Sequence, residues 1–168
     1  EFPSRFMPIS ARNPCPCSYN GHPDKQCTCS SYNINLHLGK IPESIWDRID
    51  INQFLQAETY ERLSSERSPQ TSEKEYENTR ALIENTWNIQ KKRGCINRSI
   101  KLEQVKRICP MAQAANTLLK ETYTAFGLST RGLLKTIRVA RTIADLDKKD
   151  TISDRHVAEA VSYRKLDT

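Results

Sequence analysis

The chain has 168 residues, 37% of them hydrophobic, with a mean hydropathy of −0.68 and a formal charge of +6. It is long enough for one domain with a core or two smaller units. No apolar run approaches the roughly 18 residues a membrane-spanning helix needs, so a soluble, cytoplasmic chain with no membrane contact is expected. The start, EFPSRFMPIS, lacks the basic lead and long apolar stretch of a signal peptide, and it reads as internal to something longer. Charge is uneven: residues 1–90 carry 9 Lys/Arg against 12 Asp/Glu, residues 91–168 carry 17 against 8. A net +9 in the second part suits a polyanion, nucleic acid or nucleotide phosphate, or else a solvated helical face.

In chain order, Arg5 to Ala11 is a short apolar run expected as a strand, with Pro8 costing it a ladder donor. The stretch that follows, RNPCPCSYNGHPDKQCTCS, places Cys15, Cys17, Cys27 and Cys29 as two Cys-x-Cys pairs around a loop whose Asn20, Gly21, Pro23 and Asp24 supply turn chemistry. Four such thiols suit a tetrahedral zinc ion. Unliganded thiols and disulfides are the alternatives, and a reducing compartment disfavours the last. His22 is expected as a plain loop histidine, and Cys95 and Cys109 as ordinary core or surface thiols. Ser31 to Leu38 is expected as a helix capped by Ser30 or Ser31, and Ile49 to Leu55 as a strand.

Ser64 to Lys74 is polar, holds Pro69, and reads as a linker. Beyond it the pattern is helical. Glu73 to Lys92 sets Tyr76, Ile83 and Trp87 on roughly one face. Leu102, Val105 and Ile108 suggest a short helix closed by Pro110. Ala112, Ala115, Leu119, Thr122 and Phe126 recur at helical spacing up to Gly127. Ser129 caps a helix with Leu133, Ile137, Ala140 and Ala144 on its apolar side and Arg131, Lys135, Arg138 and, at the margin, Arg141 on the other. Ser153 caps a last helix with Val157, Ala160 and Val161 inward. Four or five helices after a linker make a small bundle.

Several segments in a fixed order carry a resemblance: FPSRFMPISARNPCPC, the second Cys-x-Cys, IWDRID, and LSTRGLLKTIRVARTIADLDKKDTISDRHVAEAVSYR. Together they resemble the magnesium-chelatase-like AAA+ ATPases of the competence protein ComM type, from Phe2 to Arg164. The resemblance implies a mainly α chain: a helical AAA+ lid bundle (75–168) after a linker (64–74), preceded by a partial α/β AAA+ core fragment (1–63) with a cysteine knuckle (12–30). It implies roles as well. Asn13 matches the sensor-1 asparagine that positions the attacking water. Arg48 matches the arginine finger that reaches a neighbouring subunit's nucleotide. Arg131 matches the sensor-2 arginine of the lid. From the residues alone these are a turn residue, a surface ion pair and part of a solvated face. Where the family carries Cys-Pro-Cys-Gly, this chain has Ser18.

None of the five glycines fits a Gly-x-x-x-x-Gly-Lys-Ser/Thr loop, and no apolar strand ends in an acidic pair. With those parts missing, the resemblance implies the sensor, arginine-finger and lid portion of a ring-forming ATPase, hexameric when complete and acting on DNA in branch migration. ATP and Mg²⁺ would be bound only together with a P-loop half. The alternatives are a non-enzymatic zinc-and-helix module that binds nucleic acid or serves as an adaptor, and the ATPase subunit of a true magnesium chelatase. The cysteines and Asp-Arg-Ile-Asp argue against the latter.

Overall fold

The computed structural model describes residues 7–55 and 69–164, the side chains of 43 and 69–72 excepted. The protein is mainly helical, and no strand occurs among the described residues. Among the described residues seven α-helices follow in order: α1 (Ser31–Leu38), α2 (Glu43–Trp46), α3 (Pro69–Lys92), α4 (Val105–Ile108), α5 (Gln113–Ala125), α6 (Thr130–Leu146) and α7 (Asp154–Ser162). Two 3₁₀ turns, Asn97–Ser99 and Leu102–Gln104, lie between α3 and α4.

The caps explain several boundaries. The Ser30 hydroxyl accepts from the Asn33 amide at 3.2 Å and starts α1. Ser129 does the same for the Gly132 amide at 3.0 Å and starts α6. Helix α3 ends at Lys92, and Gly94, at a φ of +73°, then turns the chain in a region most residues avoid.

The core is built where α6 lies against α7 and α5 against α7. Ile100, Ile108, Cys109, Ala115, Leu119, Ile137, Ala140, Ile143, Ala144, Ile152, Val157 and Ala160 are all buried there. Burial pushes the Cys109 thiol up to about 11, as befits an inert core thiol. A parallel bridge between Met111 and Ile152 ties the entries of α5 and α7 together. Ala112 donates to the Ile152 carbonyl at 2.9 Å and Ile152 to that of Pro110 at 2.8 Å.

Several expectations need correcting. The strand expected over Arg5 to Ala11 begins outside the described residues, and Met7 to Ala11 form none; Met7 and Ile9 are exposed. Ile49 to Leu55 is no strand either. An extended segment becomes a strand only when a neighbour takes its backbone groups in a ladder, and among the described residues neither run has one. A single bond, from the Asn52 amide to the Tyr163 carbonyl, does not make a ladder. The apolar face expected on α3 is also reversed. Tyr76, Ile83 and Trp87 are exposed, and the buried positions are the polar Thr86 and Gln90. Residues 73–85 are exposed throughout, so only the last turns of α3 pack on α6. The helix also begins at Pro69, inside the stretch expected as linker, of which residues 64–68 lie outside the described residues.

The largest revision concerns α6. The side expected to be solvated holds Lys135, 7% exposed, and Arg141, 1% exposed. The Arg141 guanidinium donates to Asp145 at 3.1 Å and to the carbonyls of Lys149 and Asp150. Asp145 also accepts two bonds from Arg93, at 2.9 and 2.7 Å, and one from Asn97 at 2.8 Å. Arg93 in turn donates to Asn97 at 2.7 Å. The hydrogen bonds and charge of Asp145 hold Arg93 protonated above its usual range, against the opposing effect of burial. The Ala-Arg-Thr-Ile-Ala-Asp segment is thus an internal ionic clasp joining α3, α6 and the turn before α7.

Candidate functional site: a cysteine clasp and an arginine-bearing turn

The loop after residue 11 brings four sulfurs together. Those of Cys15, Cys17, Cys27 and Cys29 all lie within 4.8 Å of one another. Cys15 and Cys17 are 3.3 Å apart, Cys15 and Cys27 3.7 Å, Cys17 and Cys27 3.6 Å. All are free thiols, well beyond the roughly 2 Å of a disulfide bond. Four ligands about 2.3 Å from a tetrahedral ion sit about 3.8 Å apart, so these separations fit one ion.

Backbone donors surround the cluster. The Asn20 amide reaches the Cys15 sulfur at 3.4 Å, and Ser18 closes a turn onto the Cys15 carbonyl at 3.1 Å. The Tyr19 backbone holds the Cys17 thiol down at about 6, outweighing its desolvation. At Cys27 the Cys29 backbone favours the thiolate. Desolvation and the neighbouring sulfurs overcome it and push Cys27 up to about 12. The crowded sulfurs thus favour the thiolate at Cys17 and disfavour it at Cys27 and Cys29.

The turn has a local cost. Ser18 sits at φ +70°, the left-handed region that favours glycine. Such a conformation costs a residue with a Cβ about 1–2 kcal/mol. Gly21, at φ +81°, lies under the Phe54 ring, and a Cβ there would stand 3.2 Å from it. His22 behaves as a loop histidine: its Nδ1 accepts from the Asp24 and Lys25 amides at 3.0 and 3.1 Å. It is engaged in turning the chain and not aimed at the sulfurs.

The three other expected site residues sit on connected segments. Asn13 is exposed, and its carbonyl accepts from His37 Nε2 at 3.1 Å. Beside it, Arg12 donates to the Leu38 carbonyl at 3.1 Å and lies 4.5 Å over the Trp46 ring. These contacts tie the segment before the cysteines to α1 and to the end of α2, from which the next turn leads on. Arg48, on that turn, is exposed and donates to the Ser44 carbonyl at 3.2 Å.

Arg131 comes to the same turn from the first turn of α6. Its guanidinium meets Asp47 at 3.4 Å, with 61% of its side chain exposed. An ion pair this open contributes about 0–1 kcal/mol, little enough for a stronger anion to displace. Lys135, one helical turn on, makes the firmer link: its ammonium donates to the Asp47 carbonyl at 2.6 Å and lies 3.6 Å from Asp50. Burial lowers the Lys135 pKa, against the pull of Asp50 and Asp47. The Asn52 amide adds a 2.6 Å bond to the Tyr163 carbonyl.

The structure thus brings Arg131 to the residue next to Arg48, while no described contact joins Asn13 to either arginine. Asp47 and Lys135 were missed as site-forming residues. The sequence gives no signal for Lys135 beyond its i+4 spacing from Arg131, because its partner lies 88 residues away.

A helical lid-type bundle joined to a cysteine-clasped segment through an Asp-Arg turn defines the class. The family described as "Magnesium chelatase, subunit ChlI C-terminal" matches residues 73–164, and "Magnesium chelatase, subunit ChlI" matches residues 1–63. The chain belongs to the magnesium chelatase family. It is 30% identical over 168 residues to the protein YifB of Salmonella typhimurium, covering 99% of this chain and 32% of that protein. It is 29% identical over 168 residues to YifB of Escherichia coli and 29% over 175 to the competence protein ComM of Haemophilus influenzae, with the same coverage. The chain therefore spans about a third of the length of these curated relatives. No described helix is long and apolar enough to cross a membrane.

Proposed function

We propose that this chain is the sensor, arginine-finger and lid portion of a ring-forming AAA+ ATPase, hexameric when complete, that acts on DNA. ATP and Mg²⁺ would be held mainly by a P-loop half that these residues lack. The observation that carries the proposal is the 3.4 Å meeting of Arg131 with Asp47, the neighbour of Arg48. Two arginines that the resemblance assigns to phosphate, far apart in sequence, are brought to one turn through the adjacent residues Asp47 and Arg48. Phosphoryl transfer depends chiefly on positioned positive charge, and a guanidinium offers a rigid fork of donors to phosphate oxygens.

Arg131 also lies in the first turn of α6, where the helix dipole and free amides favour an anion. A phosphate would replace Asp47 as its partner, while Lys135 keeps the turn docked. In the complete protein Arg131→Ala is accordingly expected to weaken nucleotide binding about tenfold or more, with the lid still folded because the lost pair contributes so little. A nucleotide titration alongside thermal denaturation checks this; unchanged affinity removes the role of Arg131. Asn13 is assigned to orienting water, a role that needs the P-loop half to close over it.

Zn²⁺ is the ion proposed for the four sulfurs. It would replace the core that residues 12–30 lack, a structural part and not a chemical one. Elemental analysis is expected to give about one zinc per chain. A metal-free chain whose cysteine loop still resists proteolysis would contradict the assignment.

A further inference from the structure

The exposed positive charge of the bundle is concentrated in one stretch. Residues 91–107 carry seven Lys/Arg and one acid, Glu103. Arg93 turns inward to Asp145. The other six, Lys91, Lys92, Arg98, Lys101, Lys106 and Arg107, are exposed, and none has a side-chain hydrogen bond or ion pair among the described residues. Residues 108–164 hold nine basic and six acidic residues. Five of those nine are engaged in the bundle or at its edge: Arg131 and Lys135 with Asp47, Arg138 with the Ile100 carbonyl, Arg141 with Asp145 and Arg164 with the Gly132 carbonyl.

These six cations stand on a pinned backbone. The Asn97 amide donates to Gln90 Oε1 at 2.9 Å, which sets Arg98 beside the helical turn that carries Lys91. Arg138 holds the Ile100 carbonyl, and Ile100, Ile108 and Cys109 are buried. The chain from 90 to 109 therefore alternates buried anchors with outward cations. Six like charges so placed repel one another, and an external polyanion relieves that cost.

We propose that residues 91–107 form a binding surface for the phosphate backbone of DNA, distinct from the Arg48 and Arg131 surface. This rests on the DNA-acting reading above and gives it a location. An acidic protein is the less fitting partner. Protein interfaces draw most of their energy from apolar and aromatic anchors, and Leu102 is the one exposed large apolar residue in the stretch. Backbone recognition needs only lysines and arginines.

The test uses the 168-residue chain and a labelled 20-base-pair duplex, followed by fluorescence anisotropy in KCl from 50 to 200 mM. Each neutralised phosphate contributes about −0.9 to the slope of log K against log salt. The expected wild-type slope is about −4, and the triple variant Arg98→Glu, Lys101→Glu, Arg107→Glu should lower affinity at least about 30-fold and flatten the slope by about 3. All three side chains are exposed, so an unchanged thermal midpoint confirms that the variant is folded. Lys120→Glu with Arg155→Glu, equally exposed but elsewhere, should change affinity less than about threefold. A wild-type slope near zero, or a triple variant that binds like wild type, overturns the proposal. So does competition by polyglutamate as strong as that of unlabelled DNA, which would assign the surface to an acidic protein. The Arg131 nucleotide titration is independent of these outcomes, so either claim can fail while the other stands.

Discussion

Asp145→Ala is expected to destabilise the C-terminal bundle by about 3–5 kcal/mol, the usual result of removing one partner from a buried ion pair. The Asp145 side chain is 1% exposed and is the shared acceptor for Arg93, Arg141 and Asn97. Without it Arg141, also 1% exposed, keeps two carbonyls but no counter-charge. Small domains have only about 5–15 kcal/mol in total, so the loss takes a large share of what holds the fold. For a bundle of this size the unfolding midpoint should fall by roughly 15 °C or more. Urea denaturation followed by circular dichroism measures it. Asp145→Asn keeps most of the geometry but not the charge, and should fall between the two. A loss under about 1 kcal/mol for the alanine variant would mean that water reaches Arg141 and that the clasp is not sealed.

Arg48→Ala is expected to have the opposite profile: no measurable loss of stability and a large loss of turnover. Arg48 is exposed and its described bond goes to the Ser44 carbonyl of its own turn, so little of the fold depends on it. An arginine supplied to a transferring phosphoryl group is worth about 10³–10⁵ in rate. In the complete protein, then, ATP turnover should fall by about three orders of magnitude or more while the thermal midpoint stays within about 1 °C. If the finger works across a subunit boundary, mixing the Arg48 variant with a variant defective only in its P-loop restores part of the turnover in mixed rings. A variant that unfolds, or one that turns over at wild-type rate, would each remove Arg48 from that role.

The helices and caps were legible because their causes are local. Ser30 and Ser129 cap the helices expected of them, and the spacing of Ile137, Ala140 and Ala144 gave the inner side of α6. The four cysteines were legible as a cluster from spacing alone. What could not be read depends on partners distant in sequence. Arg141 and Asp145 look like surface charges four residues apart, and only Arg93 and Asn97, some fifty positions away, make them internal. A clue was available: both charges sit among Ala140, Ile143 and Ala144, an apolar setting that calls for mutual pairing. The face of α3 was misread because apolar spacing marks a stripe without saying what covers it. Thr86 and Gln90 are buried instead since Gln90 accepts the Asn97 amide. The meeting of Arg131 with Asp47, across 84 positions, had no local signal at all.

ATP turnover on mixing two parts is the most direct check of the central claim, that these residues complete a nucleotide site whose phosphate cradle lies elsewhere. The 168-residue chain alone should show no turnover, and neither should a separately produced P-loop half of the same parent protein. Combined, they should hydrolyse ATP, and the Arg48→Ala form of this chain should not support that activity. Hydrolysis by the P-loop half alone at the rate of the mixture, indifferent to Arg48 and Arg131, would contradict it.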